Sequence, residues 1–234
     1  MARKPVLPPS GEFVRTSSAE HAALLIRRMI FDGDLGPGDR VPQDDVAAAL
    51  GISRIPVREA LIALEREGWL TIELHRGAFI NALDARSVRD NYELFGLVYG
   101  LAARRAVERA DNGTLLASLA HHKAAMTRSD DPADVGRAIR GFHGDIVDAA
   151  ASPRIKVVLR AMSALIPGEF FESVPDAIAV ERRGLAAVLR SLRNGDGDGA
   201  AAEYLKMMRK VGERVVDVLD ARGLFAASDV PNSA

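Results

Sequence analysis

Residues 43–68 read QDDVAAALGISRIPVREALIALEREG, two short helical patterns separated by Gly51-Ile52-Ser53, and this stretch decides the fold. In the first pattern Val46, Ala49 and Leu50 share one side before Gly51 supplies a stop. In the second, Arg54 to about Glu67, the residues Val57, Ala60, Leu61 and Leu64 recur at helical spacing, with Ser53 as the expected cap and Gly68 as the closing residue. Pro56 is tolerated because a first-turn proline gives up no intrahelical hydrogen bond. A glycine-containing turn this short between two helices is that of a helix-turn-helix. Arg54 and Arg58, four residues apart, project from one side of the second helix, where a recognition helix would meet the major groove. Guanidinium forks match guanine O6 and N7 and also clamp phosphates.

The flanks extend the pattern. After it, Trp69 to Leu74 and Ala78 to Leu83 surround His75-Arg76-Gly77, which predicts a two-stranded hairpin with a basic tip. Before it, Ser17-x-x-Glu20 has the form of a capping box, Ala22, Leu25, Ile26 and Met29 mark one helix face, and Gly33 ends the helix. Helix, helix-turn-helix and hairpin in that order make a winged helix. Arg40 in the turn-rich segment 34–42 and Arg76 at the hairpin tip are placed to reach the DNA backbone or minor groove, and Gly77 would let the wing backbone approach closely.

Beyond Asp84, a cap, no strand pattern survives. Helical periodicity continues to about Arg222, with six helices expected near 84–110, 113–128, 132–150, 153–167, 175–194 and 198–221. The predicted fold class is mostly α, an N-terminal winged helix-turn-helix plus a C-terminal all-α helical bundle. The expected divisions are a flexible arm at 1–15, a DNA-binding domain at 16–83, a helical domain at 84–222 and a disordered tail at 223–234.

Composition narrows the function. With 31 Lys and Arg against 32 Asp and Glu, the chain is no general nucleic-acid coat, so DNA contact must rest on a few placed arginines. Aromatics at 5% argue against a base-stacking single-strand binder. Cysteine is absent, which removes disulfides and thiolate chemistry and suits the cytoplasm. Neither a signal peptide nor a membrane span is visible. No nucleophile–base pair, paired carboxylates or phosphate loop suggests an enzyme. His121-His122 and the run Asn194 to Gly199 are expected to be solvated surface, because adjacent helical histidines diverge and the acidic-glycine run lacks a calcium loop's closing glutamate. Met207-Met208 with Tyr204 and Val211 reads as core.

The run IRRMIFDGDLGPGDRVPQDDVAAALGISRIPVREALIALEREGWLTIELHRGAFI, residues 26–80, resembles the GntR family of winged-helix regulators, whose pattern is a PG-x-R loop, then SR-x-PVREAL-x-L-x-x-EG and a basic, glycine-containing wing. The resemblance implies operator contact by Arg40, Ser53, Arg54, Arg58, Arg76 and Gly77. The helical remainder resembles the FadR-like, or FCD, effector domain, and six helices are closer to its VanR-like form. A helix-turn-helix monomer reads only about four or five base pairs, so a homodimer on a palindromic double-stranded operator is expected.

Many FCD domains hold a metal with Asp-x-x-x-His on one helix and single histidines on two later ones. Here His143 is kept, but Ile139, Leu185 and Met207 stand at the other positions, so neither metal nor other cofactor is expected. An Arg and a Glu usual on the first effector helix are replaced by Val98 and Ala102. The resemblance therefore implies an effector pocket of Val98, Ala102, Ile139, His143, Leu185 and Met207, apolar enough for a lipophilic ligand, or else filled by side chains. A constitutive regulator without an effector is the alternative.

Overall fold

The computed structural model describes residues 17–109, 112–162 and 174–225. The expected N-terminal arm, most of the expected tail and the end of the fourth bundle helix lie outside them.

The winged helix-turn-helix contains α1 (Ser18–Asp32), α2 (Gln43–Leu50), α3 (Arg54–Arg66), β1 (Leu70–Glu73) and β2 (Gly77–Ile80). The capping box is present: the Glu20 amide donates to Ser17 Oγ at 3.1 Å, and the Ser17 amide donates to the Glu20 carboxylate at 2.6 Å. Helix α3 buries Val57, Ala60, Leu61 and Leu64, the four residues its spacing selects. The other two faces are rotated from expectation. Ala23 and Ile30 join Ala22 and Ile26 inside while Leu25 and Met29 are half-buried, and Ala47 rather than Ala49 packs beside Val46. Small residues in both helices carry little phase information, so the packing of α3 and Trp69 sets the rotation. Trp69 meets Phe31 edge to face at 5.4 Å between ring centroids, and Arg27 pairs with Glu67 to hold α1 against the end of α3.

Strands β1 and β2 pair antiparallel, Leu70 opposite Ile80 and Glu73 opposite Gly77, shorter than the sequence suggests. The segment before α2 joins them. Gly38 donates to the Ile80 carbonyl at 2.8 Å, Ile80 to Asp39 at 2.9 Å and Val41 to Ala78 at 2.9 Å. Arg40 is thereby fixed alongside β2.

Six helices follow among the described residues: α4 (Ala85–Glu108), α5 (Asn112–Arg128), α6 (Pro132–Ala149), α7 (Pro153–Met162), α8 (Ala177–Arg193) and α9 (Gly197–Ala221). None is long and apolar enough to cross a membrane. Helices α4 and α9 run antiparallel in close contact. A Cβ on Gly96 would lie 2.8 Å from Leu205 Cα, and one on Gly100 would lie 3.1 Å from Ala201 Cα. Ion pairs keep the same register: Arg89 to Glu213 at 3.0 Å, Arg209 to Glu93 at 2.6 Å and Arg104 to Asp198 at 2.7 Å. The acidic-glycine run is mostly exposed, as expected, and within it Asp196 caps α9 by accepting from the Gly199 amide at 2.7 Å.

The expected disordered tail begins too early. Leu224 is buried, and its carbonyl accepts from the Leu83 amide at 2.9 Å, with Leu83 and Phe225 forming a parallel bridge. Arg222 donates to the Phe31 carbonyl. Backbone pairing therefore ties residues 224–225 to the interdomain linker, and the Arg222 side chain ties the same segment to α1.

Changing Gly96 to Ala should lower stability by about 1–3 kcal/mol through overpacking. The same change at Gly144, an exposed helical glycine whose Cβ would meet nothing within 4 Å, should raise it by about 0.5–1 kcal/mol. Urea unfolding midpoints measure both. Asp84 caps α4, accepting from the Ser87 hydroxyl at 2.7 Å and from the amides of Ser87 and Arg86 at 2.9 Å and 3.1 Å. The Ser87 hydroxyl and these amides lower the Asp84 pKa. The cap's contribution is therefore full above the unfolded value of about 3.9 and fades as pH falls through the lower folded value. The stability gap between wild type and Asp84→Ala, followed by thermal melting, should narrow as the pH is taken down through that range.

Candidate nucleic-acid interface and effector cavity

Ser53 occupies the N-cap position of α3 with extended backbone, but contrary to expectation its hydroxyl makes no capping hydrogen bond. That leaves the hydroxyl exposed at a helix start, where unsatisfied amides favour anions. Arg54, the next residue, and Arg58, one turn further on, are both exposed. Between α3 and the wing runs a groove lined by Arg40, Arg54, Arg58 and Gly77, so the fold brings four of the six expected DNA-contact residues together. Arg76 stands at the tip, paired with Glu73 and packed over Phe79 at 5.4 Å from the ring centroid.

Three details were not read from the sequence. Asp44 grips Arg54 from α2, with carboxylate oxygens 2.5 Å from Nε and 2.7 Å from Nη2. This pair holds the guanidinium extended beside the groove and moderates its charge. Ile55 is 69% exposed next to it and Ile62, two turns on, is 46% exposed, so the outer side of α3 carries apolar groups between its arginines, of a kind suited to a thymine methyl. Gly77 has a second duty besides close approach. Its φ is +118°, and a Cβ there would fall 2.6 Å from Arg40 Nε. The glycine makes room for the arginine that crosses the wing.

In the helical domain the six expected pocket residues separate. Ala102, Ile139, Leu185 and Met207 are buried in the hydrophobic core and Val98 packs against it. His143 lines a cavity of about 390 Å³, together with Tyr99, Gly144, Val147 and Leu159, and with Arg140, Asp148, Lys156 and Arg160. A volume of this size falls within the range of small-ligand sites. The walls are aromatic and basic rather than purely apolar, because polar side chains from neighbouring helical turns reach it. Lys156 is paired with Asp148 at 2.5 Å.

Behind His143 lies a buried polar cluster. Its Nδ1 is 3.3 Å from the Tyr204 hydroxyl and its Nε2 is 3.4 Å from the Glu181 carboxylate. An imidazole donating from Nε2 and accepting at Nδ1 satisfies both neighbours. Tyr99 stacks on His143 at 4.6 Å and on Tyr204 at 5.5 Å. Burial pushes the hydroxyls of Tyr92, Tyr99 and Tyr204 well up, and the charge of Glu181 adds to this, so all three stay neutral. Glu181 had a sequence signal: it sits in phase with the apolar residues Ala177, Val180, Leu185 and Val188 of α8.

These residues do not fit a metal. Both His143 ring nitrogens are engaged, Ile139 and Leu185 supply no donor, and no group of three or more His, Asp or Glu among the described residues could hold an ion. His122, expected at the surface, is half-buried and lies 3.1 Å from Asp145, while His121 is exposed.

Changing Gly77 to Ala should cost about 1–3 kcal/mol of stability through backbone strain and should weaken DNA binding by displacing Arg40. Urea unfolding and fluorescence anisotropy on labelled duplex measure the two effects separately.

Comparison with known proteins places both halves. Residues 18–80 match the bacterial regulatory proteins of the gntR family, and residues 90–210 match the FCD domain. An uncharacterized HTH-type transcriptional regulator of Mycobacterium tuberculosis is 34% identical over 148 residues, covering 62% of this chain and 59% of the relative. The chain thus spans less than two thirds of that relative's length. The HTH-type transcriptional repressor RspR of Escherichia coli is 32% identical over 82 residues, covering 35% of this chain and 36% of the repressor. The solved structure of Escherichia coli McbR/YncC shares the fold with a TM-score of 0.61, at 18% identity, covering 88% of this chain and 98% of that one. The chain belongs to the bacterial regulatory proteins of the gntR family that carry an FCD domain.

Proposed function

We propose that this regulator is a cytoplasmic, effector-controlled repressor that binds a palindromic operator as a homodimer. The observation that carries the DNA reading is the groove between α3 and the wing, where Arg40, Arg54 and Arg58 surround an exposed helix face. Arg54 and Arg58 are the base-reading candidates. Ser53, Arg40, Arg76 and Gly77 hold the phosphate backbone. The repressor assignment draws on the name of RspR, a relative over the DNA-binding part.

The effector reading rests on the cavity at His143. Tyr99 offers an aromatic wall and Arg140, Lys156 and Arg160 a basic rim, which suits a small molecule with an apolar or aromatic body and an acidic group. This revises the purely lipophilic ligand expected from Val98, Ala102, Ile139, Leu185 and Met207, since four of these five are core and the fifth packs against it. Helix α9 supplies a path to the DNA-binding half. It carries Tyr204 beside the cavity, and the chain just beyond its end presents Arg222 to Phe31 and Leu224 to Leu83. An effector controls DNA binding only through different affinities for the two placements of the winged helices. The filled core positions favour one second reading, a constitutive regulator with no effector.

The test uses anisotropy on duplex fragments from upstream of the gene, with and without Arg58→Ala. A base-reading Arg58 loses about 1–3 kcal/mol on the preferred site and relaxes preference at one position. Equal loss on every sequence assigns it to phosphate, and no binding to any duplex overturns the DNA reading. In parallel, aromatic carboxylates and neutral apolar compounds are screened by melting temperature, because a ligand of the folded state raises it. A rise with the carboxylates alone supports the basic-rimmed site, a rise with neutral compounds alone restores the lipophilic one, and no rise with either favours the constitutive regulator.

A further inference from the structure

The groove between α3 and the wing holds Asp44 as well as its arginines. Asp44 lies in the first turn of α2, and its side chain is 65% exposed. A negative charge there repels phosphate, which weakens binding to every sequence alike. Such a cost is offset only if the carboxylate improves the choice between sequences.

The pair with Arg54 shows how it does so. The two carboxylate oxygens take the side edge of the guanidinium, Oδ1 on Nε and Oδ2 on Nη2. A guanidinium has five N–H groups in a rigid fork, and the Nη1–Nη2 edge presents a second parallel pair of donors. With the side edge held, only this end edge is left for a bidentate partner. It matches guanine O6 and N7, whereas adenine sets an amino donor where guanine sets O6 and so repels the same fork. A guanidinium free to turn would follow the nearest phosphate, which carries no sequence information.

The backbone keeps the two side chains in register. Arg54 is the first residue of α3, at the end by which a recognition helix meets base edges. The turn before it is closed by the Ile52 amide, which donates to the Ala47 carbonyl at 3.0 Å, with Gly51 left-handed at φ +63°. Carboxylate and guanidinium therefore stand on two helices joined by a fixed turn, the kind of support that holds a reading group still. Arg58, one turn on, has no carboxylate partner among the described residues, so the device is particular to Arg54.

We propose that Asp44 is a positioning residue for sequence reading: it fixes Arg54 with its end edge outward and so commits one position of the bound site to guanine over adenine. This rests on the reading of Arg54 as a base contact and deepens it. The test uses the full chain and a pool of duplexes with a randomised centre, the preference at each position being read by sequencing the bound fraction. Arg54→Lys, which keeps the charge and loses the fork, marks the position that Arg54 reads. Asp44→Asn puts an amide against the guanidinium and breaks the two-point grip; the site is exposed, so the fold should persist, as melting temperature checks. The preference for guanine at the marked position should fall about tenfold in Asp44→Asn. Affinity for a duplex of unrelated sequence should rise, and the slope of log affinity against log salt should steepen by about one as the freed guanidinium displaces a counterion. A carboxylate with a merely structural role would not give lost discrimination and gained non-specific affinity in one variant.

Equal loss of affinity on all duplexes in Asp44→Asn would overturn the positioning role. A preference lost at a position other than the one marked by Arg54→Lys would also overturn it, making Asp44 a base contact in its own right. The underlying reading fails differently. If Arg54→Lys leaves every preference unchanged, Arg54 reads no base and Asp44 has nothing to aim. If Arg54→Lys loses a preference that Asp44→Asn keeps, Arg54 reads a base unaided and only the positioning role falls.

Discussion

The close approach of α4 and α9 is the constraint on which the rest of the helical domain depends. Gly96 and Gly100 let the two backbones come nearer than side chains ordinarily permit, and Gly212 returns the accommodation by seating Tyr92, to which a Cβ would come within 2.8 Å. Much follows from that contact. It places Tyr204 of α9 against Tyr99 of α4, so the aromatic stack that walls the cavity spans the two helices. It also carries the end of α9 back toward the linker that starts α4, where Leu224 meets Leu83. A helix pair this tightly fitted responds to a local push by moving as a unit, because packed interiors resist gradual deformation.

The DNA-binding half was legible in the sequence because its elements are short and bounded by glycine, proline and caps. Helix α3 buries the four residues its spacing selected. What escaped was tertiary. The 38–41 segment gave no strand pattern of its own, since its backbone bonds go to β2 across a turn. The Asp44–Arg54 pair joins side chains on two helices, and no spacing rule links positions that far apart.

The helical half was legible in outline and not in detail. All six helices were anticipated, and their described ends lie close to the expected ones because Pro, Gly and Asp residues mark the breaks. The pocket was harder. Family positions identify which residues replace a metal site, but Ile139, Leu185 and Met207 answer that replacement by closing the core. The polar groups that take over, Tyr99, Glu181 and Tyr204, come from other turns of their helices, and only the charge of Glu181 within an apolar face announced one of them.

The seam between Leu83 and Leu224 bears on how such a protein can be recombined. Regulators built from a reader and a sensor invite module exchange, with a cut placed at the linker near Asp84. Here the residues after the last helix pair with the linker itself, and Arg222 reaches the carbonyl of Phe31 within the reader. A chimaera cut once at the linker would keep the covalent connection but bring together two surfaces that never evolved to match. The unit of inheritance in this architecture is the reader together with the C-terminal strap that touches it, although most of the chain separates them in sequence.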